Sequence, residues 1–333
     1  WSLIAVETPS YASIIYDLPN SCEFIYNNCM YIALLGRQPE LSIAELERVY
    51  GAVAWFSADT ATIETKQNDT FDIQRLGGTQ KAGKVIAELQ HTDWRKASAE
   101  IVRHFTEEWS SFEGKITLGI STYGLDLSPR EVQKTGLVLK SKLKARGISL
   151  RLVPNQESAL STATSHHNKL GLSSNKVELL IVKGQRSIIV AQSIGAQNIT
   201  ALAHRDQGRP RRDAFVGMLP PKLAQLMVYF ATGPEQNLRL LDPFCGTGVI
   251  LQEAALMGHA VYGTDLAPKM IDYSRDNLTW LQETVMRHPI DLTLEEGDAM
   301  SARWNQPIGA VAAETYLGQP FSAPPSPAKL KEV

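Results

Sequence analysis

The sequence is poor in cysteine: its 333 residues include only Cys22, Cys29 and Cys245. Three cysteines at scattered spacings supply neither a disulfide framework nor the paired spacing of a zinc site. We therefore expect no bound metal and a cytoplasmic setting, in which thiols stay reduced. Cys245 has no evident base beside it, so we interpret it as a small packing residue rather than a nucleophile.

Long apolar runs are also missing. No stretch reaches the roughly 20 residues that a transmembrane helix requires, and we expect no membrane partner. Hydrophobic residues make up 44% of the chain and charged residues 20%. This balance is typical of a globular protein, and the length leaves room for two or three domains.

Neither sign of charge is in clear excess, because the formal net charge is −2. The basic residues are nevertheless concentrated: residues 130–151 contain seven of them against one acid, and residues 203–222 contain five against two. A protein that contacts phosphates through one face needs such a patch rather than a basic total. The alternative is a solvated helix surface. The candidate phosphate contacts are Lys134, Lys142, Lys144, Arg146, Arg205, Arg209, Arg211 and Arg212.

The most informative motif is Leu-Leu-Asp-Pro-Phe-Cys-Gly-Thr-Gly at residues 240–248. An apolar run ends in Asp242, and Gly246 and Gly248 then open a helical pattern. Glycines let the backbone approach a ligand closely, and the following helix directs its free N–H groups toward it. The pattern predicts a nucleotide-like ligand, although a bare turn between strand and helix looks similar.

Acidic residues end the next two strand-like runs as well. Asp265 ends the apolar run that follows the first helical pattern. An acid at the end of a second strand, about 20 residues past a glycine turn, is placed to accept the hydroxyl protons of a ribose. Asp298 and Ala299 follow a third run, where an acid can accept a hydrogen bond from an exocyclic amine such as that of adenine. Three acids at three strand ends predict a nucleoside-type cofactor; the alternative is a plain α/β domain with polar strand ends.

The motif from Asp242 to Gly248 resembles motif I of the class I, S-adenosylmethionine-dependent amino methyltransferases. Dehydrogenases usually carry their glycine fingerprint without a preceding acid. A fuller resemblance, over roughly residues 30–318, is to the THUMP-domain tRNA guanine-N2 methyltransferases. It rests on residues 31–47, on Arg-Asp-x-x-Arg-Pro-x-Arg-Asp at residues 205–213, and on Gly-Met-Leu-Pro-Pro-Lys-Leu-Ala at residues 217–224.

The resemblance implies an α+β N-terminal RNA-binding half, ferredoxin-like plus THUMP-like, followed by an α/β Rossmann-like methyltransferase domain. The corresponding boundaries are 30–90 for the ferredoxin-like domain, 91–197 for the THUMP-like domain, 198–215 for a linker and 216–333 for the methyltransferase domain. We expect residues 1–29 to be an upstream extension or a misassigned start, because Met30 falls directly before the family-like opening. A methyltransferase sheet normally has seven strands, so a sequence that ends soon after the fourth predicts a C-terminally truncated domain.

The same resemblance assigns roles at the site. The cofactor S-adenosylmethionine is expected to contact Asp242, Pro243, Phe244, Cys245, Gly246, Thr247, Gly248, Asp265, Leu266, Asp298 and Ala299. Amino methyltransferases place Asp/Asn-Pro-Pro-Tyr after the fourth strand, whereas this chain has Glu-Thr-Tyr at residues 314–316. Glu314 then replaces the acid that accepts an amine hydrogen, and Tyr316 the ring that stacks on the base. The two prolines that fix the loop are lost.

The sequence thus predicts an S-adenosylmethionine-dependent RNA methyltransferase that modifies the exocyclic N2 amine of a guanosine in tRNA. Two alternatives remain open. One is a DNA amino methyltransferase, which the lack of an evident duplex-reading motif in the first 200 residues disfavours. The other is a non-catalytic RNA-binding protein with a relic cofactor pocket, which the altered loop at Glu314 favours.

Two local patterns predict elements of the N-terminal half. The run from Trp94 to Trp109 has a helical pattern, and the segments 177–183 and 187–194 alternate apolar residues around Gly184-Gln185, which predicts a hairpin.

Three further patterns lead to expectations. Ser42 and Glu45 have the spacing of a capping box, which predicts a helix from Ser42 to Tyr50. A helix over residues 132–146 would turn Leu137, Val138 and Leu143 inward. The adjacent histidines at 166 and 167 would point to opposite faces of a strand.

Overall fold

The computed structural model describes residues 30–65, 71–213 and 219–315. These residues form an eight-stranded sheet followed by a four-stranded one. No helix in these ranges has the length and apolarity needed to cross a membrane. The expectations for residues 1–29 and for Tyr316 lie outside the described residues.

The first sheet is mainly antiparallel. Its elements are β1 (Met30–Leu35), α1 (Pro39–Tyr50), β2 (Val53–Ser57), β3 (Thr60–Glu64), β4 (Thr79–Leu89), α2 (Trp94–Glu108), β5 (Lys115–Tyr123), α3 (Pro129–Ala145), β6 (Ser149–Leu152), α4 (Thr162–His167), β7 (Lys176–Lys183) and β8 (Ile188–Ala196). The strand order is β2-β3-β1-β4-β8-β7-β5-β6. Only the pairs that β5 makes with β6 and β7 are parallel.

This sheet continues across the domain boundary expected at residue 90. Strand β4, which ends at Leu89, pairs with β1 on one side and with β8 on the other. The backbone hydrogen bonds therefore join both expected N-terminal domains into one sheet. The division into a ferredoxin-like and a THUMP-like domain stays a prediction.

The second sheet is entirely parallel, in the order β11-β10-β9-β12. Its elements are α5 (Ile199–Gln207), α6 (Pro221–Thr232), β9 (Arg239–Asp242), α7 (Val249–Leu256), β10 (Ala260–Asp265), α8 (Pro268–Leu281), β11 (Leu292–Glu296) and β12 (Ala310–Val311). Leu240, Leu241, Val261 and Tyr262 are buried, as expected for parallel strands covered by helices on both faces. This order places β9 and β10, which follow one another in the chain, side by side.

Several predicted elements are confirmed. The helix expected from Trp94 is α2, and Asp93 caps it by accepting hydrogen bonds from the N–H groups of Arg95 and Lys96. The hairpin expected around residues 184–185 is formed by β7 and β8. These signals are local, because a cap and a tight turn depend on residues close in sequence.

The capping box expected at Ser42 is wrong. Helix α1 begins at Pro39, so Ser42 and Glu45 lie inside it and are buried. The Glu45 carboxylate accepts hydrogen bonds from the N–H groups of Gly77 and Gly78 at 2.8 and 2.9 Å. Burial raises the pKa of Glu45 to about 7. Ser42 and Glu45 therefore do not start α1. They connect the interior of this helix to the turn before β4.

The inward face expected for α3 is only partly correct. Leu143 is buried, but Leu137 and Val138 are 54% and 40% exposed. The buried face is set by Gly136, where an added Cβ would lie 2.6 Å from Leu152 Cδ1. This close approach fixes the rotation of the helix and leaves two apolar side chains in solvent.

The histidines at 166 and 167 do not lie in a strand. They end the short helix α4, whose N-cap is Ser161. Their rings are 5.6 Å apart. No group of three or more His, Cys, Asp or Glu side chains in the described ranges is arranged to hold a metal ion.

One hydrophobic cluster spans the two halves of the chain. Leu46 of α1 belongs to the same buried cluster as Ala224 and Val228 of α6. A Cβ at Gly77 would collide with the Lys222 carbonyl oxygen, so the turn before β4 needs a glycine to fit against α6. The N-terminal half therefore supports the helix that precedes the second sheet.

A buried ion pair joins α5 to α7. Arg205 Nε and Nη2 donate to the two carboxylate oxygens of Glu253 at 2.7 and 3.0 Å, and both residues are at least nine-tenths buried. The expectation that Arg205 contacts phosphate is therefore wrong, because its guanidinium is enclosed and neutralises an internal carboxylate. Arg209 is also buried, at 3% exposed, and its contact with phosphate stays a prediction.

We predict that Arg205→Ala lowers the free energy of unfolding by about 3–5 kcal/mol, because it leaves the Glu253 charge buried without a partner. Urea denaturation followed by circular dichroism measures the loss. The control is Arg275→Ala, which removes an exposed arginine paired with Asp272 and should leave the midpoint nearly unchanged. Equal midpoints for the two variants would contradict the buried pair.

Candidate cofactor-binding site

The carboxyl ends of the parallel strands meet at one edge of the second sheet. Asp242 is the last residue of β9, Asp265 is the last of β10, and Asp298 follows β11 by two residues. All three line one cleft of about 650 Å³, and Glu314 after β12 lines it too. Ligands of open α/β sheets bind in such a crevice, at the point where the strand order reverses.

The glycine turn between β9 and α7 has a conformation that favours glycine at two positions. Gly246 has φ +51° and Gly248 has φ +79°. An added Cβ at Gly248 would also lie 2.8 Å from Ser274 Oγ of α8, whereas one at Gly246 would meet nothing closer than 4.0 Å. Gly248 therefore fits the turn against α8, and the open space at Gly246 faces the cleft.

Two backbone N–H groups fix the Asp265 carboxylate. Gly246 N–H donates to Oδ2 and Ala267 N–H donates to Oδ1, both at 2.9 Å. Each carboxylate oxygen keeps a further lone pair for a ligand donor. The glycine turn and the second strand thus hold this acid in one orientation at the wall of the cleft.

Asp242 lies at the bottom of the cleft and is 1% exposed. Burial raises the pKa of its carboxyl to about 8, and the negative charges of Asp265 and Glu314 add to this effect. The Phe244 N–H, which donates to Oδ1 at 3.1 Å, opposes it. The carboxyl is therefore largely protonated at neutral pH until a positive charge comes close.

The cleft is acidic, and most of its other lining residues are apolar. Among the described residues that line it, four are carboxylic acids and none is lysine, arginine or histidine. Phe244, Leu266 and Leu223 expose part of their side chains at its rim. Such a wall attracts a cationic ligand with an apolar ring and repels a dianionic one, because unit charges interact strongly in a partly desolvated site.

Comparison with known proteins agrees with this geometry. Residues 209–300 match the family model UPF0020 (RMKL-like, methyltransferase domain). This segment is similar to a methyltransferase domain.

Three similar proteins with curated names are tRNA (guanine(10)-N2)-dimethyltransferases. The chain is 37% identical to the enzyme of that name from Methanothermobacter thermautotrophicus over 117 residues. This alignment covers 34% of this chain and 33% of that protein. The chain is 42% identical over 62 residues to that of Pyrococcus abyssi, covering 19% and 18%. The matched part thus spans about one third of the length of the first relative.

Among solved structures, the chain is similar to TrmN from Thermus thermophilus. The identity is 18%, the alignment covers 81% of this chain and 74% of that one, and the TM-score is 0.46.

Most sequence-predicted cofactor residues of the methyltransferase domain gather at the cleft. Gly248 does not line the cleft; it is the N-cap residue of α7. Tyr316 lies outside the described residues. The predicted residues that line the cleft are Asp242, Pro243, Phe244, Cys245, Gly246, Thr247, Asp265, Leu266, Asp298, Ala299 and Glu314. Their individual roles stay predictions.

Sequence reasoning missed two groups of residues at this site. One is apolar: Met270 of α8 lines the cleft together with Leu219, Pro220 and Leu223 at the start of α6. The second group is buried and polar: Ser274 and Asn277 of α8 donate hydrogen bonds to carbonyl oxygens of the glycine turn. Their spacing of three residues puts both on one helix face, but only the packing shows what that face meets.

The remaining basic candidates differ in their surroundings. Arg211 and Arg212 are exposed near the domain, and Arg146 forms an ion pair with Glu107 at 2.6 Å. Lys134 and Lys142 are exposed on α3. A second cavity, of about 610 Å³, is lined by four basic residues and no acid; the basic residues are Lys115, Lys140, Lys144 and Arg151.

We predict that both turn glycines are required for stability, and Gly248 more so. Gly246→Ala should cost about 1–2 kcal/mol, because a left-handed conformation strains a side chain. Gly248→Ala should cost at least about 1 kcal/mol more, because its Cβ also meets Ser274. Thermal unfolding of both variants checks the order, with Gly114→Ala as the control, since that glycine has φ +97° and open space around it. A smaller loss for Gly248→Ala than for Gly246→Ala would contradict the packing.

Proposed function

We propose that this chain is an S-adenosylmethionine-dependent methyltransferase that modifies the exocyclic N2 amine of a guanosine in tRNA. The observation that carries the proposal is the acidic cleft: four carboxylic acids line it, and no basic residue does within the described ranges. S-adenosylmethionine carries a sulfonium and an ammonium group, so such a wall attracts it. A dinucleotide with a pyrophosphate would be repelled.

The residues present fit this cofactor. Asp265 holds the ribose hydroxyls, since two N–H groups already orient its carboxylate. Asp242 and the open backbone at Gly246 hold the methionine end. Asp298 and Ala299 hold the adenine from the side of β11, with Leu266 at the rim.

The bound cofactor supplies an electrophilic methyl group, and the protein positions the acceptor. The N2 amine of guanine is a poor nucleophile, because its lone pair is delocalised into the ring. Glu314, which lines the cleft after β12, accepts a hydrogen of this amine and so keeps its lone pair directed at the methyl group. Tyr316 stacks on the base in this proposal. Holding donor and acceptor aligned lowers the barrier by several kcal/mol.

The substrate assignment is supported by the names of the similar proteins and by the distribution of charge. The relatives in Methanothermobacter and Pyrococcus are named tRNA (guanine(10)-N2)-dimethyltransferases. The cavity lined by Lys115, Lys140, Lys144 and Arg151 offers phosphate contacts on the first sheet. Lys134, Lys142, Arg211 and Arg212 are also exposed and are further candidates for phosphate contacts in the proposal.

We predict that Asp265→Ala weakens S-adenosylmethionine binding at least about tenfold. The variant loses charge-assisted hydrogen bonds to the ribose, each worth about 1.5–3 kcal/mol. Isothermal titration calorimetry measures the dissociation constant. Asp272→Ala, which removes the same charge from an exposed position of α8, should bind as the wild type does. Equal affinity in the two variants would exclude Asp265 from the site.

Cofactor binding should also depend on pH through Asp242. A cation beside this carboxyl favours its ionised form, so binding releases a proton below the pKa of about 8. Affinity should therefore rise with pH up to about 8 and level off above it, by at most about tenfold per pH unit. Calorimetry in buffers of different ionisation enthalpy counts the protons. Asp242→Asn should bind more weakly and without this pH dependence; an unchanged dependence would assign the proton to another group.

The function itself is tested by transfer of a labelled methyl group. Bulk tRNA should gain label and duplex DNA should not. Glu314→Ala should lower kcat about 100-fold, whereas Glu314→Gln keeps an acceptor oxygen and should lose less. Label in DNA alone would favour a DNA amino methyltransferase, and cofactor binding without transfer to either would favour a non-catalytic RNA-binding protein.

A further inference from the structure

The Asn277 side chain joins two distant segments of the chain. It is fully buried. Its Nδ2 donates to the Thr247 carbonyl at 2.8 Å and to the Arg211 carbonyl at 2.9 Å, and its Oδ1 accepts the Arg211 N–H at 2.9 Å. The carboxamide therefore pairs with both backbone groups of one residue while it holds the backbone of another.

Only a carboxamide supplies this combination, because it carries two donors and one acceptor on a single planar group. An aspartate of the same shape would direct oxygens at two carbonyl oxygens. An apolar side chain would leave buried backbone groups without partners, which costs about 1–3 kcal/mol for each. The donors and the acceptor of the Asn277 carboxamide therefore match its three backbone contacts. A side chain that merely filled the same space would not make them.

The two segments have different tasks in the proposed function. Thr247 belongs to the glycine turn and lines the cofactor cleft. Arg211 belongs to the connector, defined here as residues 208–213, which leaves α5 and carries exposed Arg211 and Arg212. Asn277 thus bridges the cofactor turn and a surface proposed to contact phosphates.

Other contacts of the connector with α8 are exposed. Arg211 Nε donates to Asp276 Oδ2 at 2.6 Å, and Lys269 Nζ lies 3.1 Å from Asp213 Oδ2. Exposed pairs of this kind contribute little. Among these links, the buried one is that of Asn277, which makes it the mechanical connection between the connector and the turn.

Ser274, one turn earlier on α8, provides a natural comparison. Its Oγ donates to the Gly246 carbonyl at 2.9 Å, so it supports the turn without an observed bond to the connector. Support of the turn and connection of the turn to the connector can therefore be separated by substitution.

We propose that Asn277 is a positioning residue that couples the connector to the cofactor turn, so that S-adenosylmethionine and RNA strengthen each other's binding. The inference rests on the proposed function for the identity of the two ligands. A cofactor that orders the turn also orders the connector. By thermodynamic linkage, RNA phosphates on the connector act back on cofactor affinity by the same factor.

Hydrogen–deuterium exchange of the full chain tests this without any substitution. Saturating S-adenosylmethionine should slow exchange in residues 242–248 and also in residues 208–213. Protection of the turn with no change in the connector would overturn the inference and leave the proposed function intact. No cofactor binding by calorimetry would overturn both.

Variants then test the residue. Saturating bulk tRNA should tighten S-adenosylmethionine binding about fivefold or more in the wild type, and Asn277→Asp should abolish this effect together with the connector protection. Ser274→Ala should weaken cofactor binding but keep the coupling. Asp272→Asn, an isosteric change at an exposed position of the same helix, should behave as the wild type. Asn277→Ala, which lacks the oxygen–oxygen repulsion, replaces the aspartate variant if that one does not fold; full coupling in either folded variant would overturn the role of Asn277.

Discussion

The close packing of α8 against the glycine turn is the contact on which the rest of the site depends. The turn can approach the helix because Gly248 has no side chain to meet Ser274. Once there, its carbonyl oxygens are held by Ser274 and Asn277, and its Gly246 N–H points at Asp265. One packing contact thus sets both the shape of the cleft floor and the orientation of the acid beside it.

The electrostatic character of the cleft follows from where the sheet places its acids. Parallel strands bring their carboxyl ends to one edge, so the acids at or just after the ends of β9, β10, β11 and β12 share a small volume. Asp242 is the most deeply buried of these acids. Its carboxyl group keeps its proton, because an isolated carboxylate is costly to bury. A cationic ligand reverses this balance. The site is therefore prepared for positive charge before any ligand arrives.

The N-terminal half contributes to the site although no residue of it lines the cleft among the described residues. It shares a core with α6, whose first residues wall the cleft. The buried pair of Arg205 and Glu253 then fixes α5 to α7, and Asn277 fixes the connector to the turn. The surface proposed to contact phosphates and the cleft proposed to hold the cofactor are thus parts of one packed unit.

Local patterns were sufficient for the elements that depend on neighbours in sequence. The strand, glycine turn and helix around residues 240–257 could be predicted because glycine, acid and apolar residues follow each other in a fixed order. Acids at strand ends could be placed together, because parallel strands share an edge. The position of Ser42 and Glu45 could not, since a capping box and a buried hydrogen-bond network require the same residues.

The sequence by itself determined the parallel sheet, the glycine turn and the acids that gather around it, because each depends on spacing along the chain. Only the tertiary structure decided which charges face solvent. Arg205 and Arg211 look alike in the sequence, yet one neutralises a buried carboxylate and the other remains at the surface. Burial is a property of what packs on a residue from elsewhere in the chain, and no local pattern carries that information.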